Sequence, residues 1–284
     1  MFNPLEPNAT HSEEAFDGVF CWAAKETNSF RRSVVYRQIL PVTSLKQSMS
    51  AESSEIEEQE MSRFREIESG YLDELVSAVM EFIKVKPNKG SLLTLGGGQW
   101  EFGRRVSDAM QAKTYLFADN NTTAIHEADE AEMFTSYVDL GDAEQISALG
   151  KYDVVILKDV VERGVFDMEQ VLSAIWKILK LNGWGIVVMR ASLSFPAPQS
   201  SLDQWASKCP TLETLKETAE KCDYEVESRE KTFKVEIARN SLGKTLKWLP
   251  EFVESDVDNL INGLSDPVQF EDKLTILVLT KVIN

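Results

Sequence analysis

Three consecutive glycines, Gly96-Gly97-Gly98, close the apolar run LLTL, and Trp100 stands two residues beyond them. A glycine-rich turn directly after a buried strand lets the backbone come close to a ligand, and the next helix offers its first N–H groups to it. About 20 residues further on, Asp119 ends the run TYLFAD, at an offset where a carboxylate meets ribose hydroxyls in doubly wound folds. A second group of reactive types, Lys158, Asp159, Glu162 and Arg163, follows the apolar run YDVVIL. Asp159 could accept a proton or hold an amine, and Arg163 could grip a carboxylate or phosphate. The only histidines, His11 and His126, read as surface residues rather than general bases.

Three ligand classes compete for the glycine turn. A dinucleotide fingerprint needs a third glycine where Glu101 stands, and Glu101 sets a negative charge where a pyrophosphate would lie. A phosphate-binding P-loop needs Lys followed by Ser or Thr, whereas Arg104-Arg105 follow Gly103. S-adenosylmethionine carries no phosphate and is cationic at sulfur, so it tolerates acid near the turn and wants a carboxylate such as Asp119.

Short apolar strands alternating with helices must position these residues. Strands are expected at Leu92–Leu95, Thr114–Ala118, Phe134–Val138, Tyr152–Leu157 and Gly185–Arg190, with helices at about 102–110, 122–131 and 168–179. That rhythm calls for a parallel sheet covered on both faces, an α/β fold. A helix at 212–222, a strand at 224–237 and a last strand at 273–282 follow, and these two late strands can pair antiparallel. Residues 240–271 form a polar excursion between them. Upstream, the spacing of Phe64, Ile67, Leu72, Leu75, Val79 and Ile83 predicts one long amphipathic helix. Residues 1–60, with an acidic stretch at 45–60, read as an N-terminal extension or cap, and residues 61–284 as the main domain.

Composition narrows the partners. The net charge of -16 among 284 residues repels nucleic-acid backbones, which favours a small molecule or a protein as the partner. No apolar run approaches a membrane span, and no secretory signal is expected, since the first residues lack a basic stretch followed by an apolar one. Cys21, Cys209 and Cys222 lack the spacing of a zinc site, so no metal and a reducing, cytoplasmic setting are expected.

The stretches LLTLGGG, FADNN, YVDLGDAEQ, YDVVILKDVVERGVFD and KILKLNGWGIVVM, in that order, resemble the motifs of the class I S-adenosylmethionine-dependent methyltransferases. The resemblance covers about two thirds of the chain. It implies a seven-stranded Rossmann-like sheet with the last strand antiparallel, helices on both faces, and here an N-terminal helical extension. It also implies cofactor contacts at Gly96, Gly98, Trp100, Asp119, Asn120, Asp139 and Lys158, with Asp159 and Arg163 in the catalytic loop. Three positions depart from the family pattern: Thr94 replaces an acid, Trp100 the last glycine, and Arg163 a histidine. The expected activity is methyl transfer to a small metabolite or a protein side chain, with the N-terminal helices and the 240–271 excursion closing over the substrate through Phe20, Trp22, Trp248 or Phe252. The alternative is a catalytically inactive methyltransferase-like domain that serves a partner; a protein partner or a homo-oligomer stays open.

Overall fold

The computed structural model describes residues 64–83, 90–98, 100–163, 166–190, 194–247 and 252–281. The expected extension, residues 1–60, lies outside the described residues.

Chain order runs α1 (Arg65–Ser69), α2 (Leu72–Met80), β1 (Ser91–Leu95), α3 (Trp100–Met110), β2 (Thr114–Asp119), α4 (Thr122–Glu130), β3 (Thr135–Tyr137), α5 (Ala143–Ala148) and β4 (Tyr152–Lys158). After a 3-10 turn at Val161–Arg163 come α6 (Met168–Ile178), β5 (Leu179–Met189), α7 (Gln199–Lys208), α8 (Leu212–Lys221), β6 (Tyr224–Ile237), α9 (Arg239–Lys247), α10 (Glu254–Asn262) and β7 (Val268–Lys281). The strands form one seven-stranded sheet in the order β3-β2-β1-β4-β5-β7-β6. The first five are parallel, and β7 runs antiparallel between β5 and β6. Strand order reverses between β1 and β4, and ligands of open α/β sheets bind outside the carboxyl ends of the strands at such a point.

Both faces of the sheet are apolar because successive strand residues point to opposite sides. Leu92, Phe117, Val154, Ile156, Ile186 and Val188 face one core, shared with α1, α2, α3, α9 and α10. Leu93, Leu95, Val155, Leu157, Val187 and Met189 face the other, shared with α5, α6 and α8. Helix starts are fixed locally: Asn121, Asp142, Asp167 and Thr211 each accept backbone N–H bonds at the N-cap of α4, α5, α6 and α8. None of the described helices is long and apolar enough to cross a membrane.

Several expected elements are corrected. The single helix predicted around residues 61–85 is two, because the chain breaks at Gly70 and Tyr71, whose φ of -133° leaves the helical region. The fifth strand, expected at Gly185–Arg190, begins at Leu179 as β5 and carries an irregular register opposite Tyr152 and Val154. Asn182, at φ 60°, absorbs that irregularity. The 240–271 excursion holds α9 and α10, and two further helices, α5 and α7, were not expected. Beyond Thr275, which pairs Met189, β7 continues toward Val268 paired with β6 alone, and this carries Asp272 past the end of β5.

Candidate functional site

The glycine turn is built as a close approach between β1 and β4. Gly96, Gly97 and Gly98 have φ values of 68°, 84° and 66°, the left-handed region that side chains rarely adopt. A Cβ on Gly97 would lie 2.1 Å from the carbonyl oxygen of Lys158, and one on Gly96 would lie 2.7 Å from both Leu140 and Val160. Asp119 ties the turn to the tip of β2. Fully buried, it accepts the Gly98 N–H through Oδ2 at 2.8 Å and the Asn121 N–H through Oδ1 at 2.9 Å. Helix capping falls to Asn121 instead, which accepts the N–H groups of Thr123 and Ala124. Asn120 is half-buried beside it. Asp139 is exposed and accepts the Gly141 N–H at 2.8 Å.

The departures from the family pattern have local partners. Thr94 Oγ1 lies 2.9 Å from the Tyr115 hydroxyl, which also donates to the Trp100 carbonyl at 3.2 Å. Burial raises the Tyr115 pKa, so the phenol stays protonated. Trp100 opens α3 half-buried against the first core, and its indole N–H is buried with no hydrogen-bond partner among the described residues. Beside it, a cavity of about 380 Å3 lies between α1, the start of α2 and α3, lined by Arg65, Glu68, Leu72, Trp100, Phe102 and Arg104 among others.

At the ends of β4 and β5 the charged residues form a buried network. Arg190, with no solvent exposure, donates through Nη1 to Asp159 Oδ1 at 2.8 Å and through Nη2 to Asp272 Oδ2 and the Tyr71 hydroxyl, each at 3.2 Å. The same Nη2 donates to Glu68 of α1, and Lys158 Nζ pairs with Asp159 and with Glu68 Oε2, the latter at 2.6 Å. The Arg190 guanidinium also lies 4.0 Å over the Phe64 ring. Asp159, at φ 54°, is held in a conformation that costs about 1–3 kcal/mol. Burial works against the charge on Lys158 and Arg190, but their carboxylate neighbours outweigh it and raise both pKa values.

Lys158, Asp159 and Glu162, which as loop charges would ordinarily be solvated helix caps, are thus all buried. Arg163 closes the 3-10 turn, and its side chain lies outside the described residues, as do Phe20, Trp22 and Trp248, expected to cover a substrate. Phe252, expected with them, packs in the first core. His126 is exposed, 3.3 Å from Glu130, as expected of a surface residue. Sequence reasoning missed Glu68, Tyr71, Arg190 and Asp272. The available signal was charge abutting apolar strands: Arg190 closes GIVVMR, and Asp272 precedes KLTILVL.

Glu162, 5% exposed, accepts the Arg190 backbone N–H through Oε1, while Oε2 is buried with no hydrogen-bond partner among the described residues. Burial, aided by the Asp159 charge, pushes its pKa up from 4.5 to about 7. A raised folded-state pKa means that the native state binds this proton more tightly than the unfolded chain between those values, so stability falls as pH rises through that window. Glu162→Gln should flatten the fall in unfolding free energy between about pH 5 and pH 7, read by urea denaturation at both ends. An unchanged slope would exclude Glu162 as its source.

No protein-family model and no curated protein matches the sequence. Solved structures do match. The YcgJ protein of Bacillus subtilis aligns over 75% of this chain and 100% of its own, at 10% identity and a TM-score of 0.50. Phosphoethanolamine N-methyltransferase 2 of Haemonchus contortus, in complex with phosphomonomethylethanolamine and S-adenosylhomocysteine, aligns over 74% of this chain at 15% identity and a TM-score of 0.49. This chain covers 53% of that protein's length. A sarcosine dimethylglycine methyltransferase of Galdieria sulphuraria aligns over 74% of this chain and 85% of its own, at 14% identity and a TM-score of 0.48. The chain has a Rossmann-like α/β fold, which it shares with the YcgJ protein at 10% identity.

Proposed function

We propose that the chain binds S-adenosylmethionine at the glycine turn and directs its methyl group to a small-molecule or protein acceptor. The observation that carries this reading is the turn itself: three left-handed glycines at the strand-order reversal, held by Asp119 at the tip of β2. The residues present fit the cofactor in most respects. Gly96 and Gly98 keep the backbone bare, and on this reading Asp119 and Asn120 at the tip of β2 serve the ribose hydroxyls and Asp139 the adenine amino group. Lys158 and Trp100 flank the turn. No phosphate is required, so Glu101 is no obstacle. S-adenosylmethionine supplies an electrophilic methyl group on a sulfonium; the chain's part is alignment and exclusion of water.

A second reading, a methyltransferase-like domain without catalysis that serves a partner, draws support from Thr94. Its hydroxyl is engaged with Tyr115, and it brings no charge to counter the cofactor's ammonium. Isothermal titration with S-adenosylmethionine and S-adenosylhomocysteine separates the two. Micromolar binding, weakened at least about tenfold in Asp119→Asn, a loss of about 1.4 kcal/mol, supports the first. No binding by a cooperatively folded protein supports the second.

A further inference from the structure

One carboxylate from outside the sheet fills a position built by two cations at the carboxyl ends of its strands. Lys158 ends β4 and Arg190 follows β5, and both meet Glu68 of α1, which is 1% exposed. Arg190 Nη2 donates to Glu68 Oε1, and Lys158 Nζ lies 2.6 Å from Oε2. The fit is incomplete, because Oε2 has no aligned hydrogen-bond donor among the described residues. The helix that brings Glu68 there is weak in itself. α1 has five residues and no side-chain N-cap, so the burial of Ile67 and of Phe64 just before it holds it in place. It ends at Gly70, and beyond the break Tyr71 is anchored separately, by its bond to Asp272 and by stacking on Phe233 at 4.4 Å. An approach lies beside it. Glu68 and Phe102 both line the cavity of about 380 Å3 between α1, α2 and α3, and Lys158 Nζ stands 5.8 Å from the centre of the Phe102 ring. The position suits a ligand, because the Lys158 carbonyl abuts Gly97 of the turn, at the reversal of strand order.

We propose that Lys158 and Arg190 form a binding site for the carboxylate of a small molecule, and that Glu68 is its internal occupant, displaced when that ligand enters from the cavity. α1 turns on Gly70 while Tyr71 stays bonded. Exchanging one carboxylate for another leaves the charge of the network unchanged, whatever else Lys158 and Asp159 bond. A neutral or cationic ligand would instead leave both buried cations short of an acceptor once Glu68 had gone. Glu68 also sets a threshold, because a ligand must outbind a group already held at the site, and contacts elsewhere in the cavity supply the difference. The site does not depend on the cofactor reading of the glycine turn. Where that reading holds, either the methyl acceptor or the methionine end of S-adenosylmethionine supplies the carboxylate.

Calorimetry tests the site without a cofactor. Glu68→Ala removes the atoms of an acetate, so acetate should bind this variant with a millimolar Kd and the wild-type protein at least about tenfold more weakly. Ethanol and ethylammonium should bind neither, and adding Lys158→Met to Glu68→Ala should abolish acetate binding. Acetate bound by neither protein, or equally by both, overturns the proposal, as does a preference of Glu68→Ala for ethylammonium. If Glu68→Ala does not fold, hydrogen exchange in the wild-type protein decides. Among a panel of small amino and hydroxy acids, some should speed exchange at residues 64–69 at least about tenfold while the matching amides do not. A panel with no such member overturns the proposal. Two further arms identify the source. If the cofactor supplies the carboxylate, Glu68→Gln should tighten binding of S-adenosylmethionine and not of its decarboxylated form. If the acceptor supplies it, both forms bind Glu68→Gln as they bind the wild type, and label from methyl-labelled S-adenosylmethionine enters acids in preference to their amides. Absence of any cofactor binding removes the reading of the glycine turn, and the acetate result then decides the carboxylate site alone.

Discussion

Arg190→Met is expected to remove about 3–5 kcal/mol of stability at pH 8, or to prevent folding outright. The side chain is fully buried and is bonded to Asp159, Glu68, Tyr71 and Asp272. Methionine matches much of the volume, so the cost comes from charge. Lys158 still faces Glu68 and Asp159, but Asp272 keeps only the Tyr71 and Ser194 hydroxyls among the described residues. Glu68, whose pKa burial already raises, loses one of its two cations and binds a proton more readily in the folded state, so the deficit should shrink as the pH falls toward 5. Guanidinium denaturation at pH 8 and pH 5 measures both effects. A deficit below about 1 kcal/mol at pH 8 would mean that water already reaches the network and screens it.

Gly97→Ala should cost about 4 kcal/mol and abolish cofactor binding. Two effects add: a left-handed backbone at φ 84°, and a methyl group forced to within 2.1 Å of the Lys158 carbonyl oxygen. That oxygen is backbone at the end of a central strand, so the clash is relieved only by moving β1 away from β4. The movement would carry Lys158 and Asp159 with it, and so disturb the charge network from a position with no charge. Gly150→Ala is the control. Gly150 has φ 102° but nothing within 4 Å of its added Cβ, so only strain of about 1–2 kcal/mol remains. Thermal melts and titration calorimetry compare the pair; equal losses would refute the steric argument.

The sheet was legible because its evidence is local. Runs such as LLTL and YDVVIL are short, apolar and bounded by turn residues, so a one-dimensional pattern reports burial on both faces. The glycine turn and Asp119 were legible for the same reason, through their spacing. Element boundaries failed where competing signals overlapped. The apolar stripe from Phe64 to Ile83 continues through Gly70, so periodicity gave no sign of the break, and LNGW has turn composition yet extends as part of β5. The charge network was illegible for a different reason. Glu68 and Arg190 are 122 residues apart, and Arg190 and Asp272 are 82 apart. Each charge alone reads as solvated; its burial follows only once the topology brings opposite charges together.

That topology also sets an order on the making of the protein. Among the described residues β6 pairs with β7 alone, along fourteen residues from Tyr224 to Ile237, and β7 follows it in the chain. During synthesis β6 therefore waits with both edges bare while α9 and α10 are produced, and Arg190 waits for Asp272. A waiting strand invites pairing with other nascent chains. β6 carries Glu225, Glu227, Arg229, Glu230, Lys231, Lys234 and Glu236, a charge density that makes such pairing unfavourable until β7 arrives to fill the gap beside β5.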